Sequence, residues 1–477
     1  MTKTYAAVVL AAGLGTRMRS TLPKVLHQVA GVPLLGHVLN ALEAIPDAPA
    51  FAPLQAEIAA HRPVVVVGHG AEHVAANFGE RCHYAIQEQQ LGTGHAVLAA
   101  QDEVNALEPL PEIVLVCYGD TPLLTGDILA RILAEHHTRQ ATITFLTGMA
   151  NLPSDYGRVV RDEEGSVREI VEVKRATPEQ LQIREVNSGV YCFDRAWLWP
   201  TLAALPRNPV GEYYLTDLIG IAARQGHTIA TVTGSLDETV GINNRVQLAE
   251  VEQLVRQRIL EKHMYAGVTL LDPASTYIEA EVEIGRDTVI LPGTILRGTT
   301  RIGSLCQIGP YTTIENSHIG DNCRVYQSVL EETTFEEGVS IGPFSHCRPG
   351  AYLARNVHMG NFGEIKNSYI GPETAMHHFS YLGDATLGER VNVGAGTITC
   401  NYDGVQKNRT IIGDRAFIGS DTMLVAPVTV GEQASTGAGA VVTHDVPPGT
   451  VVAGVPARLL RSSQPANSST ADGISKE

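Results

Sequence analysis

The aliphatic positions of the chain keep an unusual period over its second half. From about Tyr277 to Val442 an aliphatic residue returns every sixth position, as Ile278, Ile284, Ile290, Leu296, Ile302, Ile308 and Ile314. A second run reads Val329, Phe335, Ile341, Cys347, Leu353, Met359 and Ile365, and a third Ile412, Ile418, Leu424, Val430, Thr436 and Val442. A period of six matches neither the 3.6 of a helix nor the two of a strand. It is the period of a parallel β-helix, in which each six-residue unit forms one flat face and three units close a coil. Many of these aliphatics are followed by Gly (Ile284-Gly285, Ile302-Gly303, Ile418-Gly419), which the pattern places at corners where Gly accepts backbone angles that other residues resist. The prediction for residues 267–460 is a left-handed prism of hexapeptide repeats, its inward aliphatics stacked coil on coil.

Ahead of the prism the period changes to that of a helix. No Gly or Pro occurs from Asn243 to Tyr265, and Leu248, Val251, Val255 and Ile259 recur at helical spacing, so 243–266 reads as a helix joining two domains. Within 1–242, short continuous apolar runs at 4–10 (TYAAVVL), 63–70 (PVVVVGHG) and 113–124 (IVLVCYGDTPLL) alternate with helical stretches. That is the mark of a parallel sheet covered on both faces, an α/β domain of Rossmann-like type. Residues 46–63 are Ala- and Pro-rich and read as a surface insertion with one short helix. Residues 461–477 carry no apolar stripe and read as a disordered tail. The fold class is α/β plus all-β.

Composition narrows the function classes. The 477 residues are too many for one core. No run approaches the roughly 18 apolar residues of a membrane span, and the N-terminus lacks a charged-then-apolar leader. Seven cysteines without a C-x-x-C pair read as reduced, mostly buried thiols of a cytoplasmic protein, not as a zinc site or a disulfide framework. A net charge of −16 argues against a nucleic-acid surface, so any cations needed for phosphate must be gathered locally.

They are gathered in two places. Leu10-Ala11-Ala12-Gly13-Leu14-Gly15-Thr16-Arg17 follows the first strand, with Lys24 close behind. Gly13 and Gly15 admit a nucleotide close to the backbone, while Arg17 and Lys24 supply charge for a triphosphate. The amide-rich loop Gln87 to His95, with its Gly92-Thr93-Gly94 turn, suits the edge of a base. Tyr118-Gly119-Asp120 ends a parallel strand, where a carboxylate faces the ligand crevice and can hold Mg²⁺. Gly157, Glu172 and Asn187 follow, the last two suited to sugar hydroxyls, and Asn243 can complete a metal shell opposite Asp120. The constellation from Leu10 to Lys24 resembles the sugar-1-phosphate nucleotidylyltransferases.

The second place lies in the prism, where the sixfold pattern fails between about Arg348 and Arg409. That stretch holds Arg348, Glu364, Lys366, His378, Tyr381, Asn392, Asn401, Tyr402 and Lys407. A histidine in such company suggests acyl transfer, with His378 taking the proton of an amine that attacks a thioester and Glu364 orienting the imidazole.

With GTITCNYDG at 396–404, the chain from about 5 to 460 resembles the bacterial bifunctional N-acetylglucosamine-1-phosphate uridyltransferase/glucosamine-1-phosphate acetyltransferases. The resemblance implies that Leu10, Ala11, Ala12, Gly13, Lys24, Gln87, Gly92 and Thr93 hold UTP. Tyr118, Gly119 and Asp120 belong to the nucleotide–metal site, with Asn243 as second Mg²⁺ ligand, and Gly157, Glu172 and Asn187 meet the N-acetylglucosamine. It further implies Arg348, Lys366, Tyr381 and Asn392 on glucosamine-1-phosphate, His378 as base, and Ala395, Asn401, Tyr402, Ser420 and Ala438 along acetyl-CoA. Arg17 and Lys24 would neutralise charge developing during uridylyl transfer. A prism face carrying half of a ligand site calls for a neighbour, hence a homotrimer. Three departures from the family pattern stand out: Leu14 in place of a basic residue, the longer 46–63 segment, and Gly454 where some members place an Arg, with Arg458 nearby. The competing reading is a single-activity sugar-1-phosphate nucleotidylyltransferase whose prism is structural or regulatory.

Overall fold

A computed structural model describes residues 3–208 and 211–462. The chain divides into two compact units, one up to Val255 and one from Arg256, and the division falls within a helix running Arg245–Tyr265. Val251 and Val255 on that helix are buried.

The first unit is built on a ten-stranded mixed sheet. Its main path runs Val167–Val171, Arg158–Arg161, Glu185–Asp194, Ile113–Tyr118, Lys3–Leu10, Val64–Val67 and His83–Ile86. Lys3–Leu10 pairs in parallel with both Ile113–Tyr118 and Val64–Val67, so its residues are covered on two sides. Tyr5, Ala7 and Val9 enter one apolar core, and Ala6, Val8 and Leu10 the other. This is why the strand reads as continuously apolar, with side chains alternating into two dry faces. Segment 46–63 departs from expectation. Phe51, Leu54 and Ile58 are buried in the same core as Tyr5, and Ile58–Ala60 adds a short parallel strand beside Lys3–Leu10. It is a structural part of the sheet, beside its central strand, and not a surface insertion: Phe51, Leu54 and Ile58 share one core, which Ala/Pro-rich composition conceals.

The second unit is the prism, with three parallel sheets of 12, 10 and 9 strands whose order follows every third strand along the chain. It is a left-handed β-helix, and an antiparallel strand, Arg458–Ser462, closes its last coil. That strand overlaps the start expected for the tail; residues 463–477 lie outside those described. The inward residue of the second run is Leu330, not Val329, which is 40% exposed while Leu330 is fully buried. The slip comes from faces one residue short, for the inward series runs Ile314, Ile319, Val325, Leu330 and Phe335. Short faces recur at Ile370 and Leu387, so coils continue through the stretch where the sequence pattern fails. The main extrusion there is the loop after Cys400, and the register step from Asn392 to Phe417 spans it.

The corner glycines also act differently from expectation. A Cβ at Gly394 would lie 2.6 Å from Ser420 N, and one at Gly419 would lie 2.5 Å from Thr436 O. Glycine is required there because the next coil passes too close, whereas positive φ at this corner is confined to cases such as Gly342, at 103°. Other left-handed corners are taken by Asp287, Asn322 and Asn356, whose short polar side chains tolerate that region. Buried hydroxyls line the interior and bond backbone carbonyls of the following coil, as Thr288 does to Gly303 O at 2.8 Å and Ser345 to Gly360 O at 2.6 Å. All seven cysteines are free, and six are buried. Among the described residues no helix is long and apolar enough to cross a membrane.

The corrected register is testable. Leu330→Ala should lower the prism's unfolding free energy by about 2–5 kcal/mol, the cost of a core cavity. Val329→Ala should change it by no more than about 0.5 kcal/mol. Denaturant titration of the two variants reads both values.

Candidate functional sites

In the first unit a cavity of about 400 Å³ opens beyond the ends of the central parallel strands. It is lined by Leu10, Ala11, Ala12, Gly13, Lys24, Gln87, Gly92, Thr93, Tyr118 and Asp120, all expected from sequence, and by Val25, Gln90, Ala96 and Glu212, which were not. Strand pairing explains the assembly. Leu10 lies in register with Tyr118, and Gly119 N donates to Leu10 O at 2.9 Å, so the two strand ends deliver their loops side by side. Gln90 Nε2 donates to Ala12 O at 2.6 Å and ties the amide-rich loop to the Gly-rich one. The run of Gln around 87–90 was the available signal for that tie.

The cations are already positioned. Lys24 Nζ bonds an Asp120 carboxylate oxygen and stands 3.5 Å from Asn243 Oδ1, to which Arg17 Nη2 donates at 2.9 Å. Two hard oxygens from distant parts of the chain thus converge on one positive charge, a donor set that suits Mg²⁺. Among the described residues no group of three or more His, Cys, Asp or Glu is arranged around a metal-sized site. Tyr118 is half-buried in the cavity wall, and burial first, then the Asp120 carboxylate, pushes its phenol well above the ordinary tyrosine range.

The structure brings Gly157, Glu172 and Asn187 together. Asn187 N donates to Gly157 O at 2.9 Å, and a Cβ on Gly157 would come within 3.4 Å of Glu172 Oε1. Thr216 holds that carboxylate at 3.0 Å, and the Asn187 amide donates to Tyr191 OH at 2.7 Å. Arg158, next to Gly157, is buried and braces this turn by donating to the carbonyls of Ser154 and Tyr156.

In the prism the expected residues fall into two groups at opposite edges of one face. Met376, Val393 and Ile418 stack in register, so two positions later His378, Ala395 and Ser420 form a column down one corner. Gly437, beside Ala438, packs under that corner in the next coil, and Gly439 N donates to Ser420 O at 2.8 Å. Asn392 stands on the face just before this corner, in register with Phe417. At the other edge Arg348 Nη1 bonds Glu364 Oε1 at 2.9 Å. Lys366 is held below the usual lysine range by the Lys407 ammonium beside it, and after that by Arg348. Asn401 donates to Asp384 at 2.6 Å. Tyr381 lies between the edges, paired in register with Glu364. Asp403 builds the loop that carries Asn401 and Tyr402, accepting from Val405 N and Gln406 N at 2.8 Å each.

One expectation fails. Glu364 does not orient His378, because it is paired with Arg348. Glu364 stands mid-face, in register with Tyr381, one coil before the corner that carries His378. The rings around His378 are histidines instead: His377 at 6.4 Å, and beyond it His358, 4.8 Å from His377. Gly454 sits at φ 94°, a conformation glycine favours, so an arginine would be strained there, and Arg458 is exposed on the closing strand.

Comparison with known proteins identifies the family. Residues 7–206 match the MobA-like NTP transferase domain model. The Bifunctional protein GlmU of Heliobacterium modesticaldum is 48% identical over 447 residues, covering 93% of this chain and 94% of that protein. That of Exiguobacterium sp. is 47% identical over 92% of this chain and 95% of its own length. This chain belongs to the bifunctional GlmU family. The relative from Trichlorobacter lovleyi, at 48% identity, likewise aligns across both units, with 93% of this chain covered. The GlmU likeness therefore takes in the cavity of the first unit and both edge groups of the prism.

Gly92 offers a local test. Its φ is 102°, and a Cβ would lie 2.6 Å from Tyr213 O. Gly92→Ala should displace the loop and lower kcat/KM for pyrophosphate release from UTP by about tenfold or more, given a strain of 1–3 kcal/mol. Thiol release from acetyl-CoA, measured on the same preparation, should not change.

Proposed function

We propose that the chain makes UDP-N-acetylglucosamine by two reactions at two separate sites, supplying precursor for cell-wall synthesis. The observation that carries this reading is that each unit has its own converging set of groups. Lys24, Asp120, Asn243 and Arg17 meet in the first, and the prism carries the His378 column with the Arg348–Lys366 group across one face.

In the prism, Arg348 and Lys366 suit the phosphate of glucosamine-1-phosphate, with Tyr381 and Asn392 toward its sugar. The substrate amine attacks the thioester carbonyl of acetyl-CoA. His378 accepts the amine proton as the N–C bond forms, and the C–S bond breaks to release the thiol. Ala395, Ser420 and Ala438 give acetyl-CoA a shallow small-residue track, with Asn401 and Tyr402 beside it. Since the column and the cationic group occupy opposite edges, a second copy brings its own edge to complete the site, which supports a homotrimer.

In the first unit, a phosphate oxygen of N-acetylglucosamine-1-phosphate attacks the α-phosphorus of UTP, and the bond to pyrophosphate breaks. Leu10 to Gly13, Gln87, Gly92 and Thr93 seat the nucleotide, while Gly157, Glu172 and Asn187 seat the sugar. Arg17 and Lys24 balance the charge that develops on the departing pyrophosphate. Asp120 and Asn243 would hold Mg²⁺, which when bound neutralises phosphate charge. Tyr118 stays a neutral phenol beside them. Both cosubstrates are cytoplasmic metabolites, and the free, buried thiols suit that compartment.

His378→Ala should cut thiol release from acetyl-CoA by about 10²–10⁴-fold, the usual span for a lost general base. Pyrophosphate release from UTP and N-acetylglucosamine-1-phosphate should persist. If the unaltered protein releases no thiol with glucosamine-1-phosphate and acetyl-CoA, the two-reaction reading falls and a single-activity nucleotidylyltransferase replaces it.

A further inference from the structure

Gln87 is buried, yet it lines the nucleotide cavity. Its Nε2 lies 3.2 Å from Gly92 O and 3.0 Å from His95 Nδ1. The first contact settles which way the amide faces, because a carbonyl oxygen can only accept and must meet the NH₂ group. The second N–H of that group then points at His95 Nδ1, which accepts it, leaving the imidazole proton on Nε2. Both donors are used, and Gln87 Oε1 takes no hydrogen bond among the described residues. The side chain can offer the cavity only an acceptor.

His95 is itself held in place. Its ring stacks on Tyr213 at 6.2 Å and 22°, and Tyr213 OH accepts from Arg207 Nε at 3.0 Å. Gly94 N donates to Tyr213 O at 2.8 Å, fixing the backbone beside the ring. A free glutamine amide turns over between two nearly equal orientations. This one has a single orientation as long as the imidazole acceptor stays where it is.

We infer that His95 is a positioning residue for base selection: it locks Gln87 with its oxygen toward the base, so that the site takes a pyrimidine bearing an N–H at position 3 and rejects one bearing a lone pair there. Uracil presents N3–H flanked by two carbonyls, whereas cytosine presents an acceptor at N3. Against cytosine the two lone pairs oppose each other and a buried acceptor goes unpaired. The inference rests on the reading that Gln87 meets the base of UTP.

The test is the ratio of kcat/KM for pyrophosphate release with UTP to that with CTP. His95→Phe keeps an aromatic ring against Tyr213 but removes the acceptor, and should lower the ratio by about tenfold or more. His95→Gln, whose carbonyl can accept, should restore it. A purely structural role would lower both rates together and leave the ratio alone. Should His95→Phe fail to fold, His95→Lys sets a donor where the acceptor stands and must also lower the ratio. A ratio equal to that of the unaltered protein in whichever of these variants folds overturns the inference. Gln87→Ala separates the two levels. If it leaves the ratio unchanged, Gln87 does not meet the base and the underlying reading fails. If it collapses the ratio while the His95 variants do not, only the role of His95 is lost.

Discussion

Hydrogen bonding between successive coils sets the second unit. Each face passes its backbone N–H groups to the carbonyls of the next coil, as Gly394 N does to Ile418 O at 2.8 Å. Coils are therefore held at one strand spacing, about 4.8 Å. At that spacing a methyl group does not fit at several corners, which forces glycine at Gly394 and Gly419. Inward side chains must stack like on like, producing the single core from Leu260 to Val452. Polar corners that turn inward find a carbonyl at positions such as Thr288 and Ser345, while the buried Thr410 hydroxyl does not. One constraint thus dictates residue choice at three kinds of position along the prism, and the chemistry is confined to the positions it leaves free.

The first unit reaches the same end by another route. Parallel pairing carries Leu10 and Tyr118 to the same level, and the loops that follow have no option but to meet. Lys24 and Asn243 arrive from elsewhere in the chain, and Ala30 N is bound by Glu252 at 2.8 Å, which ties the segment after Lys24 to the helix after Asn243. The cationic centre is stable in an acidic chain because each positive group has a carboxylate or amide oxygen already assigned to it.

Much of this was legible in the sequence. The period of six announced the prism, and strand-end motifs named most of the cavity wall. The failures share a cause, which is that sequence spacing does not report what lies one coil or one strand away. A five-residue face shifts the inward position from Val329 to Leu330 without altering composition. Glu364 and His378 look like partners by type, but Glu364 stands mid-face one coil earlier and is taken by Arg348. Segment 46–63 appears loop-like because its buried residues are few and widely spaced. Glu212 lines the cavity through loop conformation, for which a linear pattern has no signature. The corner glycines were found for the wrong reason, since close approach and left-handed φ both select glycine.

Stacking in register also gives the prism a graduated scale. Along the corner that begins at His378, each coil advances the column by one fixed increment, so Ala438, three coils on, stands roughly 14 Å away. That separation cannot drift by fractions, because the backbone ladder admits only whole steps. An insertion such as the loop after Cys400 is extruded sideways and leaves the count of coils unchanged. A ligand lying along this corner is therefore matched to an integer, and lengthening or shortening the site would require adding or deleting an entire turn of the solenoid.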